Sequence, residues 1–183
     1  MINKKMLLGL FIGVAILQAT VPLYMAWRWE NILQTGQLFY WQTAPVDPYD
    51  AFKGRYVYLG FKENKVPILD NTITGFRQKA YALVAENAEG QAFISGVTAR
   101  RPEQGVYIKV DVYRSGDEDK AYVILPFSRY YLPEDLAPAA EAAYRKSARK
   151  SGIAAVRIKD GYGVIEELYI EGTPLFEFLR QSQ

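Results

Sequence analysis

The chain is organised around DPYDAFKGRYVYLGF, residues 47–61, where a turn-forming acidic segment runs into Gly54 and then an aromatic strand. Its first part carries Asp47 and Asp50 around Pro48. Proline fixes φ and aspartate accepts local backbone hydrogen bonds, so this part reads as a tight, non-helical turn. From Gly54 the chain straightens. Alternation predicts a strand over 54–61, with Tyr56, Tyr58 and Gly60 on one face and Val57, Leu59 and Phe61 on the other. One face is aliphatic and aromatic, the other phenolic. The segment is therefore a turn feeding a core strand, or a strand whose tyrosine side is a binding surface.

Toward the N-terminus, Lys4 and Lys5 precede an apolar run from Met6 to Trp27, interrupted by Gln18, Thr20 and Pro22. As a helix this run spans about 33 Å at roughly 1.5 Å per residue, enough for a bilayer core. A cleaved signal peptide also begins with a positive region. Here no small-x-small pattern closes the run, and Tyr24, Trp27 and Trp29 form an interfacial aromatic belt, so an uncleaved anchor is expected. Lys4 and Lys5 place the N-terminus in the cytoplasm, leaving the rest periplasmic or extracellular. Trp29 to Thr35 extends the helix as a stalk, and Gly36 is expected to stop it as a left-handed C-cap. Leu38 to Gln42 is a first strand, whose Phe39, Tyr40 and Trp41 are core or membrane-proximal.

Toward the C-terminus, KENK at 62–65 reads as a hairpin-like turn and Val66 to Leu69 as a short extended piece interrupted by Pro67. Strands are predicted over 80–86 and 92–99, joined by a turn at Gly90. The cleanest alternation is 106–113, with Val106, Ile108, Val110 and Val112 opposite Tyr107, Lys109, Asp111 and Tyr113. SGDEDK at 115–120 lacks the spacing and closing glutamate of a calcium loop, so no metal is expected there. A strand follows over 121–127, then Ser128 to Leu132 carries Arg129, Tyr130 and Tyr131 to a helix start.

Residues 134–150 are written as a helix, with Pro133 and Pro138 in its first turns. Glu134, Asp135 and Glu141 come early and Arg145, Lys146, Arg149 and Lys150 late, complementing the helix dipole. Gly152 ends it. A hairpin over 153–159 and 163–170 turns through Asp160 and Gly161, and 175–179 caps the core as a short helix. The expected architecture is α+β: an N-terminal transmembrane helix, then a mainly antiparallel β domain with one substantial helix near the C-terminus. Residues 1–35 form the cytoplasmic tip, anchor and stalk, and 36–183 a single extracytoplasmic domain.

The 183 residues contain no histidine and no cysteine. Thiol chemistry, serine–histidine triads and ordinary zinc sites each lose an essential residue. The net charge of +2 is too small a basic surplus for a nucleic-acid binder. No phosphate loop, dinucleotide fingerprint or cofactor box is present, so no cofactor is expected.

GRYVYLGF resembles the signature of the bacterial GDYXXLXY protein family, whose strand follows a similar Asp-Pro segment. Gly54, Tyr56 and Leu59 match, while Arg55 stands where the family has aspartate and Phe61 where it has tyrosine. The resemblance continues through LPFSRYYLPE at 125–134 and Glu141, and ends on Gly161, Leu168, Gly172 and Pro174. It implies a domain anchored in the bacterial inner membrane, without an established activity, often encoded beside or fused to a multi-pass membrane protein.

Three functions remain. In the first, the protein is an accessory or binding module that partners a multi-pass membrane protein through Arg55, Tyr56, Arg129, Tyr130 and Tyr131. Asp47 and Glu134 are then candidate ion-pair partners, because tyrosine and arginine combine large contact area with polar tips. In the second it is a small-ligand sensor. In the third, Asp47, Asp50, Glu134 and Glu141 are the acids of a carboxylate-dependent, membrane-anchored hydrolase. A signal-peptidase-like dyad is disfavoured, because Ser95 is the first serine in the chain and none follows the apolar run closely.

Overall fold

A computed structural model describes residues 4–44, 56–61, 65–70, 73–115 and 119–181, with backbone alone over 145–151. The apolar run and the stalk are one helix, α1 (Lys4–Thr35), long and apolar enough to cross a membrane. Its only buried residue is Ile32, so its lipid-length portion lies bare while its last turns dock on the sheet. Gly36 accepts no left-handed cap. Its φ is not positive, and a Cβ there would lie 2.5 Å from the Ile32 carbonyl oxygen and 3.2 Å from Arg157 Cβ. Glycine is needed at this position for close approach rather than for backbone handedness.

The strands are β1 (Gln37–Ala44), β2 (Tyr56–Tyr58), β3 (Gly60–Phe61), β4 (Lys65–Pro67), β5 (Arg77–Glu86), β6 (Gln91–Thr98), β7 (Val106–Arg114), β8 (Lys120–Ile124), β9 (Arg129–Tyr131), β10 (Gly152–Lys159), β11 (Tyr162–Ile170) and β12 (Thr173–Pro174). The main sheet runs β12-β11-β10-β1-β6-β5-β7-β8-β4, with β3 added to β1. All its strand pairs are antiparallel except β1–β6. The sheet curls on itself at two places: Ile68 bridges Val97, bringing the end of β4 to β6, and Gly161 bridges Ile108 on β7. A separate ribbon pairs β2 with β9.

The predicted strand over 54–61 is divided. Leu59 breaks it into β2, which pairs with β9, and β3, which pairs with β1. The Leu59 N–H donates to the Ser128 carbonyl at 2.8 Å while its side chain is fully buried. Tertiary pairing on two sides overrides the local alternation. Likewise 128–132, which leads toward α2 as expected, also contains a strand, β9, that local pattern did not show, and the strand predicted over 121–127 ends at Ile124.

The helix predicted over 134–150 is α2 (Ala137–Ser151), with Pro138 in its first turn. No acid occupies that turn: Glu134 and Asp135 precede it, so they do not complement the dipole from within. Gly152 leaves the helix in an extended conformation and starts β10 directly. The chain closes on a short helix, α3 (Leu175–Gln181), so the element nearest the C-terminus is small rather than substantial. Asp160 and Gly161 both have positive φ, 53° and 81°, as a two-residue turn of the hairpin-favouring type requires.

The core is held by an aromatic cluster. Trp41 on β1, Phe61 on β3 and Phe127 after β8 meet edge to face, with ring centroids 5.6–6.1 Å apart. Phe127 lies against Gly163, where a Cβ would sit 2.5 Å from its ring. The cluster joins segments distant in sequence, so Phe127→Ala is expected to cost about 3–5 kcal/mol. Gly163→Ala is expected to destabilise by forcing the ring aside; chemical denaturation of both variants measures this.

Candidate functional site

The β2–β9 ribbon places Tyr56 opposite Tyr131, Val57 opposite Tyr130, and Tyr58 opposite Arg129. Alternation then divides the candidates. Tyr56, Tyr58, Arg129 and Tyr131 lie on the outer face; the Tyr56 and Tyr131 rings are 5.6 Å apart and Arg129 Cζ is 4.9 Å from the Tyr56 ring. Tyr131 is 65% exposed and Tyr58 40%. The Tyr131 phenol, and then Tyr56, hold Arg129 further above its ordinary value. Two phenols therefore share the charge of one exposed guanidinium.

Tyr130 faces the other way. It is buried, and its hydroxyl donates to Glu167 Oε1 at 2.8 Å, an oxygen that also accepts from the Leu168 N–H. Burial first, and the Glu167 carboxylate second, push the Tyr130 phenol well above the ordinary tyrosine value. Tyr130 thus ties the ribbon to β11 and is not part of the exposed face. Glu134 is exposed ahead of α2 and Glu141 half-buried on its second turn. Asp47, Asp50, Gly54, Arg55, the turn at 62–64 and the side chains of Arg145, Lys146, Arg149 and Lys150 lie outside the described residues. No group of three or more acidic residues placed to hold a metal occurs among the described residues.

A second cluster, which the sequence reading did not single out, surrounds Tyr162 at the start of β11. Arg28 Cζ, two turns before the end of α1, lies 3.8 Å from the centre of its ring and Lys109 Nζ from β7 lies 4.1 Å away. Trp29 packs edge-on against the same ring at 6.3 Å. Arg28, and next Lys109, lower the Tyr162 phenol from its ordinary value. Further along, Arg157 donates to both oxygens of Glu166, at 2.8 and 3.3 Å, and to the Gly36 carbonyl, while Lys159 donates to Thr35 Oγ1. The end of α1 is thereby clamped to the β10–β11 hairpin. Nothing local in the sequence pairs residue 28 with residue 162.

These observations define a class: a mainly antiparallel β domain packed against the last turns of a membrane-length apolar helix and bearing a tyrosine–arginine ribbon. The chain belongs to the GDYXXLXY protein family, whose model matches residues 18–168. No curated protein and no solved structure matches it. The fold explains the signature: Leu59 fills the core, Phe61 joins the aromatic cluster, and Tyr56 stands on the outer face of the ribbon.

Tyr130 keeps its proton in the folded state at pH values where the unfolded chain, with an ordinary value of 10.0, releases it. Its contribution is fully present below pH 10 and declines as pH rises above it. Tyr130→Phe is expected to lose about 1.5–3 kcal/mol at neutral pH, as for a hydrogen bond to a charged acceptor. It should also flatten the fall in stability above pH 10 in alkaline unfolding curves. In an ultraviolet titration, Tyr162 is expected to ionise before Tyr130 and Tyr144, and Arg28→Gln to move it upward.

Proposed function

We propose that this protein is a single-pass, extracytoplasmic accessory module of the bacterial inner membrane that docks on a multi-pass membrane protein through the outer face of its β2–β9 ribbon. The observation that carries this reading is the outer-face group formed by exposed Tyr58, Arg129 and Tyr131 around a half-buried Tyr56. Interface energy concentrates in such residues, because each buries a large area while keeping a polar tip. The ribbon is pinned from beneath by Tyr130 and Glu167, so these side chains are held in place before any partner arrives. α1 crosses the bilayer with Lys4 and Lys5 on the cytoplasmic side. Its clamp to the β10–β11 hairpin fixes the domain at the membrane surface, where a membrane partner is within reach.

The catalytic alternative draws less support, since neither Glu134 nor Glu141 lines the cavity on the face of β5, β7 and β8. The test is mild detergent extraction of the tagged full-length protein from its own membranes. Co-purification of one multi-pass protein at fixed stoichiometry is expected. Arg129→Ala and Tyr131→Ala should weaken it about tenfold or more without lowering the melting temperature. A protein that emerges alone, or retention by both variants, would overturn the reading.

A further inference from the structure

The outward face of β5, β7 and β8 carries a feature unrelated to the ribbon. Cross-strand pairing sets Tyr81 beside Lys109 and Lys79 beside Asp111, and Asp111 beside Ile124. These residues floor a cavity of about 520 Å³ that Tyr162 borders on one side. Tyr162 is seated there by the hairpin turn: the Lys109 N–H donates to the Gly161 carbonyl at 2.9 Å. A Cβ at position 161 would lie 2.7 Å from the Tyr107 ring and 2.9 Å from Lys109 Cγ, so only glycine lets the turn approach β7.

The charge of this cavity is unbalanced. Its one acid, Asp111, faces Arg77 at 3.5 Å. Among the described residues, Lys79, Lys109 and Arg28 have no carboxylate partner; Lys109 and Arg28 lie instead over the Tyr162 ring. Two ammonium groups, of Lys79 and Lys109, line the cavity with the hydroxyl-bearing rings of Tyr81 and Tyr162, while Ile124 supplies an apolar wall and Arg28 lies behind, over the Tyr162 ring. Such a set of donors suits an anion with several acceptor oxygens attached to a less polar body. Arg28 is also the first residue beyond the apolar run, so the Tyr162 edge of the cavity lies next to the end of that run, two turns before α1 itself ends.

We infer that the cavity bordered by Lys79, Tyr81, Lys109 and Tyr162 is a binding site for a phosphate-bearing anion. Phosphate offers the negative charge and the multiple acceptors that Lys79 and Lys109 lack among the described residues. Two sources share this chemistry: the headgroup of an anionic phospholipid, brought to the cavity by the bilayer, or a soluble phosphomonoester. The lipid source rests on the anchor reading above; the soluble source does not.

The full-length protein in phosphatidylcholine nanodiscs with and without phosphatidylglycerol supplies one arm, with bound lipid counted by native mass spectrometry. Thermal shift of the same sample with glycerol 3-phosphate or inorganic phosphate supplies the other. Lys79→Gln and Lys109→Gln are each expected to weaken binding roughly fivefold, and the pair by well over tenfold. Lys120→Gln, an exposed lysine at the start of β8, should leave binding unchanged. Saturable phosphatidylglycerol binding that the double variant loses assigns the headgroup; stabilisation by glycerol 3-phosphate that it loses assigns a soluble ligand. Equal binding by wild type, Lys120→Gln and the double variant, or no binding of either probe, overturns the site. Alkaline extraction of native membranes reports separately on the anchor: release of the protein would remove the lipid source and leave the soluble arm standing.

Discussion

The seating of the β10–β11 hairpin turn on β7 is the constraint from which the other features hang. Asp160 and Gly161 adopt positive φ, and the Gly161 carbonyl accepts from the Lys109 N–H. From that fixed point, β10 pairs with β1 and carries Arg157 and Lys159 to the end of α1. β11 presents Tyr162 to Arg28, Gly163 to Phe127, and Glu167 to Tyr130. A shift of one residue in this hairpin would turn each of those side chains to the opposite face of the sheet. One local turn therefore sets the position of α1, the aromatic core and the outer ribbon together.

This arrangement separates rigidity from display. The membrane-length helix is bare along the portion that would meet lipid and fastened only at its last turns, by Ile32 burial and by polar contacts to the hairpin. The β2–β9 ribbon is outside the main sheet, yet Tyr130 and the Leu59–Ser128 hydrogen bond tie it down. Residues on its free face are left to water because the same two strands bury alternate side chains beneath. The phenol-and-cation groups around Arg129 and Tyr162 follow one physical theme: a cation unpaired with a carboxylate gains from the negative face or the oxygen of a nearby tyrosine. They occupy different surfaces and serve different proposals.

The legible parts of the sequence were those set by local physics. Hydropathy marked α1, strict alternation marked β7 with its buried Ile108, Val110 and Val112, and the Asp-Gly pair at 160–161 marked the tightest turn. Where a segment answers to two neighbours, local reading failed: Leu59 divides one expected strand between β9 and β1, and Tyr130 is drawn into the core between two outward-facing residues of β9. The helix start failed for a related reason. Acids at 134 and 135 suit a first turn, but the chain remains in turns until Ala137, whose side chain is buried.

By itself the sequence determined the membrane-length helix, the α+β class, the family, and the absence of histidine and thiol chemistry, because each depends on composition or short-range pattern. It took the assembled fold to set Tyr130 against Glu167 with Tyr56, Arg129 and Tyr131 together outside, and to bring Arg28 and Lys109 each onto the Tyr162 ring beside a cavity. Those groupings join residues from strands and helices far apart in the chain, through register and sheet curvature. A pairwise contact across more than a hundred residues has no local signal, since no neighbour in sequence differs for its being made.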